Sequence, residues 1–166
     1  VYAGRISAEK GVDCLISSFK EASLENTSLK LIGEGPLLAK LKNEYKSDIN
    51  IKFLGSLDNK VVLDEIYGSK GVITATKLYE GQPTLLCEAS KLGKVSIFPT
   101  TGGINDFFPK NYNFTFSQFD YLELREKIKL LDKKSEEVNI GLENKKYIDK
   151  LLDEKSILES FKKVFT

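Results

Sequence analysis

Two stretches hold the residue types most able to do chemistry. Gly4-Arg5-Ile6-Ser7-Ala8-Glu9-Lys10-Gly11 leaves a strand-like run and leads into a helical one, which puts two cations at the mouth of a cleft. Arg5 can grip phosphate oxygens in pairs through its planar guanidinium, whereas Lys10 is a mobile point charge. An exposed loop with scattered charges is the other reading. In Tyr79-Glu80-Gly81-Gln82-Pro83-Thr84-Leu85-Leu86-Cys87-Glu88, seven residues separate two glutamates. Glu80 precedes a helix and Glu88 lies inside it. With Pro83 near the first helical position, Glu88 sits about 7 Å along the axis at ~1.5 Å per residue. Between the carboxylates come the unpaired N–H groups of a helix start, a natural anion site. Donors for a phosphate flanked by acceptors for hydroxyls match a sugar nucleotide, with its hydroxyl-rich ring, diphosphate and ribose diol. Alternatively, Glu80 only favours the positive end of the helix dipole and Glu88 is exposed.

Two glycine-rich turns are weaker signals. Gly33-Glu34-Gly35-Pro36 could let backbone approach a ligand, or be no more than a strand-to-helix turn. Thr101-Gly102-Gly103 could aim backbone amides at the same cleft, while Asp106 reads as a helix cap or loop anchor.

Composition narrows the chemistry. The 166 residues contain no His, which removes imidazole catalysis and histidine metal sites from this chain. Cys14 and Cys87 have no metal-ligand spacing and read as buried thiols, in keeping with a reducing cytoplasm. A net charge of +1 gives no footprint for nucleic acid. No apolar run approaches the ~20 residues of a membrane span. The interleaved charges of Glu123, Arg125, Glu126, Lys127, Lys129 and Asp132 read as a solvated helix face.

The elements that would position these loops alternate. Strands are expected at 1–3, 28–32, 49–54, 71–74 and 95–98, with a sixth near 112–116. Helices are expected at 12–22, 36–45, 61–67 and 83–92, the last ending at Gly93 as a left-handed cap. From Phe119 onward the chain is helical, with one stripe at Leu122, Leu124, Ile128 and Leu131 and another at Ile157, Leu158, Phe161 and Val164. Short strands alternating with helices specify one α/β domain, a Rossmann-like, doubly wound parallel sheet of about six strands with C-terminal helices. Such sheets bind ligands beyond the carboxyl ends of their strands, where the loops above fall. Val1-Tyr2-Ala3 opens as strand without Met, as expected of a piece of a longer protein.

In order along the chain, GRISAEKG, LIGEGP, IKFLGSL, EGQPTLLCE and EASKLGKVSIFPTTGG resemble the C-terminal domain of glycosyltransferase family 4 over about residues 1 to 106. The resemblance implies the C-terminal half of a GT-B fold and a retaining hexosyltransferase. Its donor would be a UDP-sugar, UDP-glucose first, with no cofactor and no metal. Arg5 and Lys10 would bind the diphosphate, Glu80 the transferred sugar, and Glu88 the ribose. Gly4, Gly33, Gly81, Pro83, Thr84 and Leu85 would line the donor, and Leu57 the base. An N-terminal domain would bring a lipid or glycan acceptor, such as cholesterol, a capsule or a lipopolysaccharide. That places the enzyme in the cytoplasm, peripheral at the inner membrane face. A UDP-sugar epimerase and a non-catalytic nucleotide-binding module are the alternatives. Three positions depart from the family: Ala75-Thr76 replaces a common Pro-Ser, Lys94 a Pro, and Asp106 a glutamate. All three are expected to lie away from the diphosphate site.

Overall fold

A computed structural model describes residues 1–133, 137–155 and 157–158. In chain order the elements are β1 (Tyr2–Ala3), α1 (Val12–Glu21), β2 (Leu29–Ile32), α2 (Leu38–Glu44), β3 (Ile51–Gly55), α3 (Asn59–Tyr67) and β4 (Gly71–Ile73). There follow α4 (Thr84–Lys91), β5 (Val95–Thr100), a 3-10 turn (Ile104–Phe107), β6 (Thr115–Ser117), α5 (Tyr121–Lys133) and α6 (Glu137–Leu151). Two three-stranded parallel ladders form, β1-β2-β3 and β4-β5-β6. They meet at Val1, whose carbonyl accepts the Ile73 N–H at 2.9 Å and whose nitrogen donates to Gly71 O at 2.9 Å. The spatial order is therefore 3-2-1-4-5-6, the doubly wound arrangement, with its topological switch between β1 and β4.

Alternation along the strands divides the core. Leu31, Ile73 and Ile97 pack on one face with Leu15, Ile16 and Phe19 of α1 and Leu124 and Ile128 of α5. Their neighbours Ile32, Val72 and Phe98 pack on the other, with Ile66 of α3 and Leu86 and Ala89 of α4. Both faces of a parallel sheet are thus covered, which is why its strands read as apolar runs rather than alternating ones.

Several boundaries shift. Pro36 lies in the turn before α2, and Pro83 sits one residue before α4 in extended backbone. Gly93 takes the expected left-handed conformation, φ 70°. Cys87 is buried, but Cys14 is only half-buried, which corrects the expectation for that residue. Ile157 and Leu158 are exposed, while Phe161 and Val164 lie outside the described residues.

β6 begins late, and a side chain covers the gap. Ahead of the first β5–β6 pair, Phe98 with Thr115, the Tyr112 hydroxyl donates to Ser96 O at 2.7 Å and accepts the Ser96 N–H at 2.8 Å. Its ring stacks on Phe98 at 5.7 Å between centroids and leans on Phe108 at 4.8 Å. Burial raises the Tyr112 pKa, so the hydroxyl stays a donor at neutral pH. Tyr112→Phe should keep the ring packing and strand both Ser96 groups. Unfolding in urea is expected to show a loss of about 1–3 kcal/mol. Unchanged stability would mean that water serves Ser96 equally well.

Candidate functional site

At the β1/β4 switch point the two loops named at the outset meet. Gly11, at φ +65°, marks the close approach: a Cβ there would lie 2.0 Å from Ala75 O. Beside it, the Lys77 N–H donates to Glu9 O at 2.9 Å. This zipper brings the end of the first loop against the segment that follows β4. A cleft of about 250 Å³ opens between them. Gly4, Arg5 and Lys10 line it from the first loop, Glu80 from the second, and Pro83, Thr84 and Leu85 from the start of α4.

Lys10 and Glu80 face each other, with Nζ 2.5 Å from Oε1, their side chains 31% and 25% exposed. Such a partly buried pair is screened less than a surface one. Arg5 is different. It is 68% exposed, and its Nε lies 3.8 Å from Glu9 Oε1, a contact that contributes little and lets the guanidinium swing. Behind the cations stands α4. Its first intrahelical bond runs from the Cys87 N–H to Pro83 O at 3.0 Å, so Thr84, Leu85 and Leu86 have no carbonyl one turn back. Two cations and a helix start then favour an anion, while Glu80 offers an acceptor at its edge. Beneath them the buried Tyr2 hydroxyl donates to Arg5 O at 2.7 Å. Burial, and then the charges of Glu80 and Glu9, push the Tyr2 pKa upward, so the phenol stays neutral. Among the described residues, no three His, Cys, Asp or Glu side chains gather in a way that could hold a metal ion.

The loop bearing Glu80 is held by contacts that local sequence does not announce. Buried Thr76 donates to Glu80 Oε1 at 3.0 Å and accepts the Leu78 N–H at 3.2 Å. Gln118 Nε2 donates to the carbonyls of Thr76 and Leu78, each at 3.4 Å. The Gly103 N–H donates to Glu80 O at 2.9 Å. A Cβ on Gly102 would stand 1.9 Å from that same oxygen. The second glycine pair thus clamps the backbone of Glu80 instead of aiming amides at the cleft. Thr76 also lines the cleft, so one departure from the family pattern lies inside the site.

Gly33, Leu57, Gly81 and Glu88 are not among the residues that line this cleft. Gly33 makes a close approach to the first loop, where its Cβ would lie 2.0 Å from Gly4 O. Gly35 does the same at Ile6 O, and the turn serves to brace the first loop. Leu57 packs partly buried against the core on the face that holds Ile66 and Leu86. Gly81 is exposed, with nothing within 4 Å of where a Cβ would be. Glu88 lies half-buried within α4.

Comparison with known proteins agrees with this architecture. The profile of the family described as glycosyl transferases group 1 matches residues 1–155. No curated protein sequence matches the chain. Among solved structures, HepE of Anabaena in complex with UDP superposes with a TM-score of 0.82 at 17% identity, over 99% of this chain and 47% of its own. TarM of S. aureus gives 0.83 at 21% identity, over 99% of this chain and 34% of its own. The catalytic domain of cholesterol-alpha-glucosyltransferase from Helicobacter pylori gives 0.75 at 21% identity, over 88% of this chain and 93% of its own. The chain spans about half the length of HepE and a third of TarM. These likenesses carry the fold alone, an α/β domain of the GT-B type.

Proposed function

Because the chain belongs to the glycosyl transferases group 1 family, we propose that its cleft holds a UDP-sugar, with UDP-glucose as the donor, for a retaining transferase of family 4. The convergence of Lys10, Arg5, Glu80 and the α4 N-terminus at the β1/β4 switch point carries this reading. Breaking the sugar–phosphate bond develops negative charge on the departing diphosphate. Pre-aligned donors lower that barrier most, because they need no reorganisation at the moment of reaction. Lys10, Arg5 and the α4 amides occupy that role, so the leaving group is served without a metal ion. Glu80 accepts from the sugar hydroxyls. The UDP complex of HepE is in keeping with a uridine diphosphate ligand.

An N-terminal domain would complete the enzyme and present the acceptor, a lipid or glycan. Cholesterol is one candidate and a capsule or lipopolysaccharide chain the other. With a lipid acceptor, the enzyme would work as a peripheral protein on the inner face of the membrane. Among the described residues no helix is long and apolar enough to cross one.

Calorimetric titration of the chain with UDP, UDP-glucose, GDP and ADP tests the reading. Saturable binding of the uridine ligands, tighter than that of GDP or ADP, is expected. Glu88→Ala should weaken UDP about 10-fold if its carboxylate reaches the ribose, one charged hydrogen bond being sufficient for that change. Equal indifference to all four ligands would remove the donor assignment. Unaltered UDP affinity in Glu88→Ala would remove only the ribose contact.

A further inference from the structure

The carboxylate of Glu80 is tied through one of its two oxygens. Oε1 accepts Lys10 Nζ at 2.5 Å and the Thr76 hydroxyl at 3.0 Å. Among the described residues, none donates to Oε2. The two donors on Oε1 differ in kind. Lys10 is long, flexible and 31% exposed, so an arriving diphosphate can recruit its ammonium. Thr76 is β-branched, stiff at χ1 and 4% exposed. Its hydroxyl is further fixed by the Leu78 N–H, and its carbonyl by Gln118. Once Lys10 turns toward phosphate, Thr76 is the side-chain donor that stays with the carboxylate.

We propose that Thr76 is a positioning residue: it holds Oε1 of Glu80 so that Oε2 faces a hydroxyl of the donor sugar. The inference rests on the cleft being the donor site and adds a division of labour within it. Lys10 answers to the diphosphate, while Thr76 acts on the sugar through Glu80. Losing the Thr76 hydroxyl should therefore affect recognition of the sugar and spare recognition of the nucleotide.

Calorimetry with UDP and UDP-glucose on the wild-type chain and on Thr76→Val, Thr76→Ala and Thr76→Ser separates these roles. The readout is the ratio of the two dissociation constants. In Thr76→Val the UDP-glucose constant is expected to rise roughly 10-fold with that of UDP unchanged, as for one hydrogen bond to a charged group. Thr76→Ser keeps the hydroxyl and should keep the wild-type ratio. Thermal melts accompany each variant, and Thr76→Ala supplies the same readout if valine prevents folding. An unchanged ratio in the variants lacking the hydroxyl overturns the proposal. So does an equal loss of both ligands, which marks a purely structural residue, or a loss in Thr76→Ser as large as in Thr76→Val. Failure of the wild-type chain to bind either ligand removes the donor reading itself, and this inference with it.

Discussion

Lys10→Ala in the full-length enzyme that carries this domain is expected to lower kcat/KM for sugar transfer roughly 100- to 1000-fold, the usual loss when one preorganised donor to a developing anion is removed. The expectation starts from position. Lys10 ends the loop after β1, Gly11 clamps that loop to Ala75 O, and the ammonium meets Glu80 at the cleft wall. The mutation also leaves Glu80 without its cationic partner, so the single variant mixes two effects. A cycle of Lys10→Ala, Glu80→Gln and the double variant separates them. If Lys10 acts only by neutralising Glu80, Lys10→Ala costs little in the Glu80→Gln background. If Lys10 stabilises the leaving diphosphate, Lys10→Ala costs about as much there as in the wild type. Arg5→Ala should act in the same direction from its exposed position. Near-normal transfer by both lysine and arginine variants would leave the cleft without a leaving-group site.

How far this site was legible follows from which contacts are local. The helix at Val12–Glu21 was visible because Val12, Leu15, Ile16 and Phe19 recur at helical spacing, and all four are buried. The strands showed as short apolar runs because both sheet faces are covered, and Gly93 stood where a helix must stop. Lys10 and Glu80 could be proposed together because each sits in a strand-to-helix loop at one end of a doubly wound sheet. What periodicity could not supply was which backbone touches which across loops. Gly33 could be read as nearing a ligand or as a plain turn, and nothing local announced that its missing side chain makes room for Gly4 O. Thr76 and Gln118 gave no local signal, since their work is to hold a loop distant in sequence. The same limit hid the seam of the sheet, where Val1 joins the two ladders.

Gly102 and Gly103 look interchangeable in sequence and should respond in opposite ways to alanine. Gly102 has φ +58°, a conformation that side-chained residues rarely adopt, and its Cβ would lie 1.9 Å from Glu80 O and 2.8 Å from Glu80 N. Both obstacles are backbone, so relief requires moving the very loop that presents Glu80. Gly103 has φ −95°, and the nearest atom to its Cβ would be Asp106 Oδ2 at an ordinary 3.8 Å. Gly102→Ala is expected to cut transfer about 100-fold or more, matching the loss of a positioned catalytic contact. Its stability should fall by only about 1–3 kcal/mol, because the strain sits at the rim and not in the core. Gly103→Ala should stay within about 0.5 kcal/mol of wild type and retain most of its activity, since its N–H still reaches Glu80 O. Steady-state kinetics and thermal melts of the pair decide the matter. Equal activities would show that the Glu80 loop tolerates displacement, and that its geometry in the unliganded cleft does not govern the reaction.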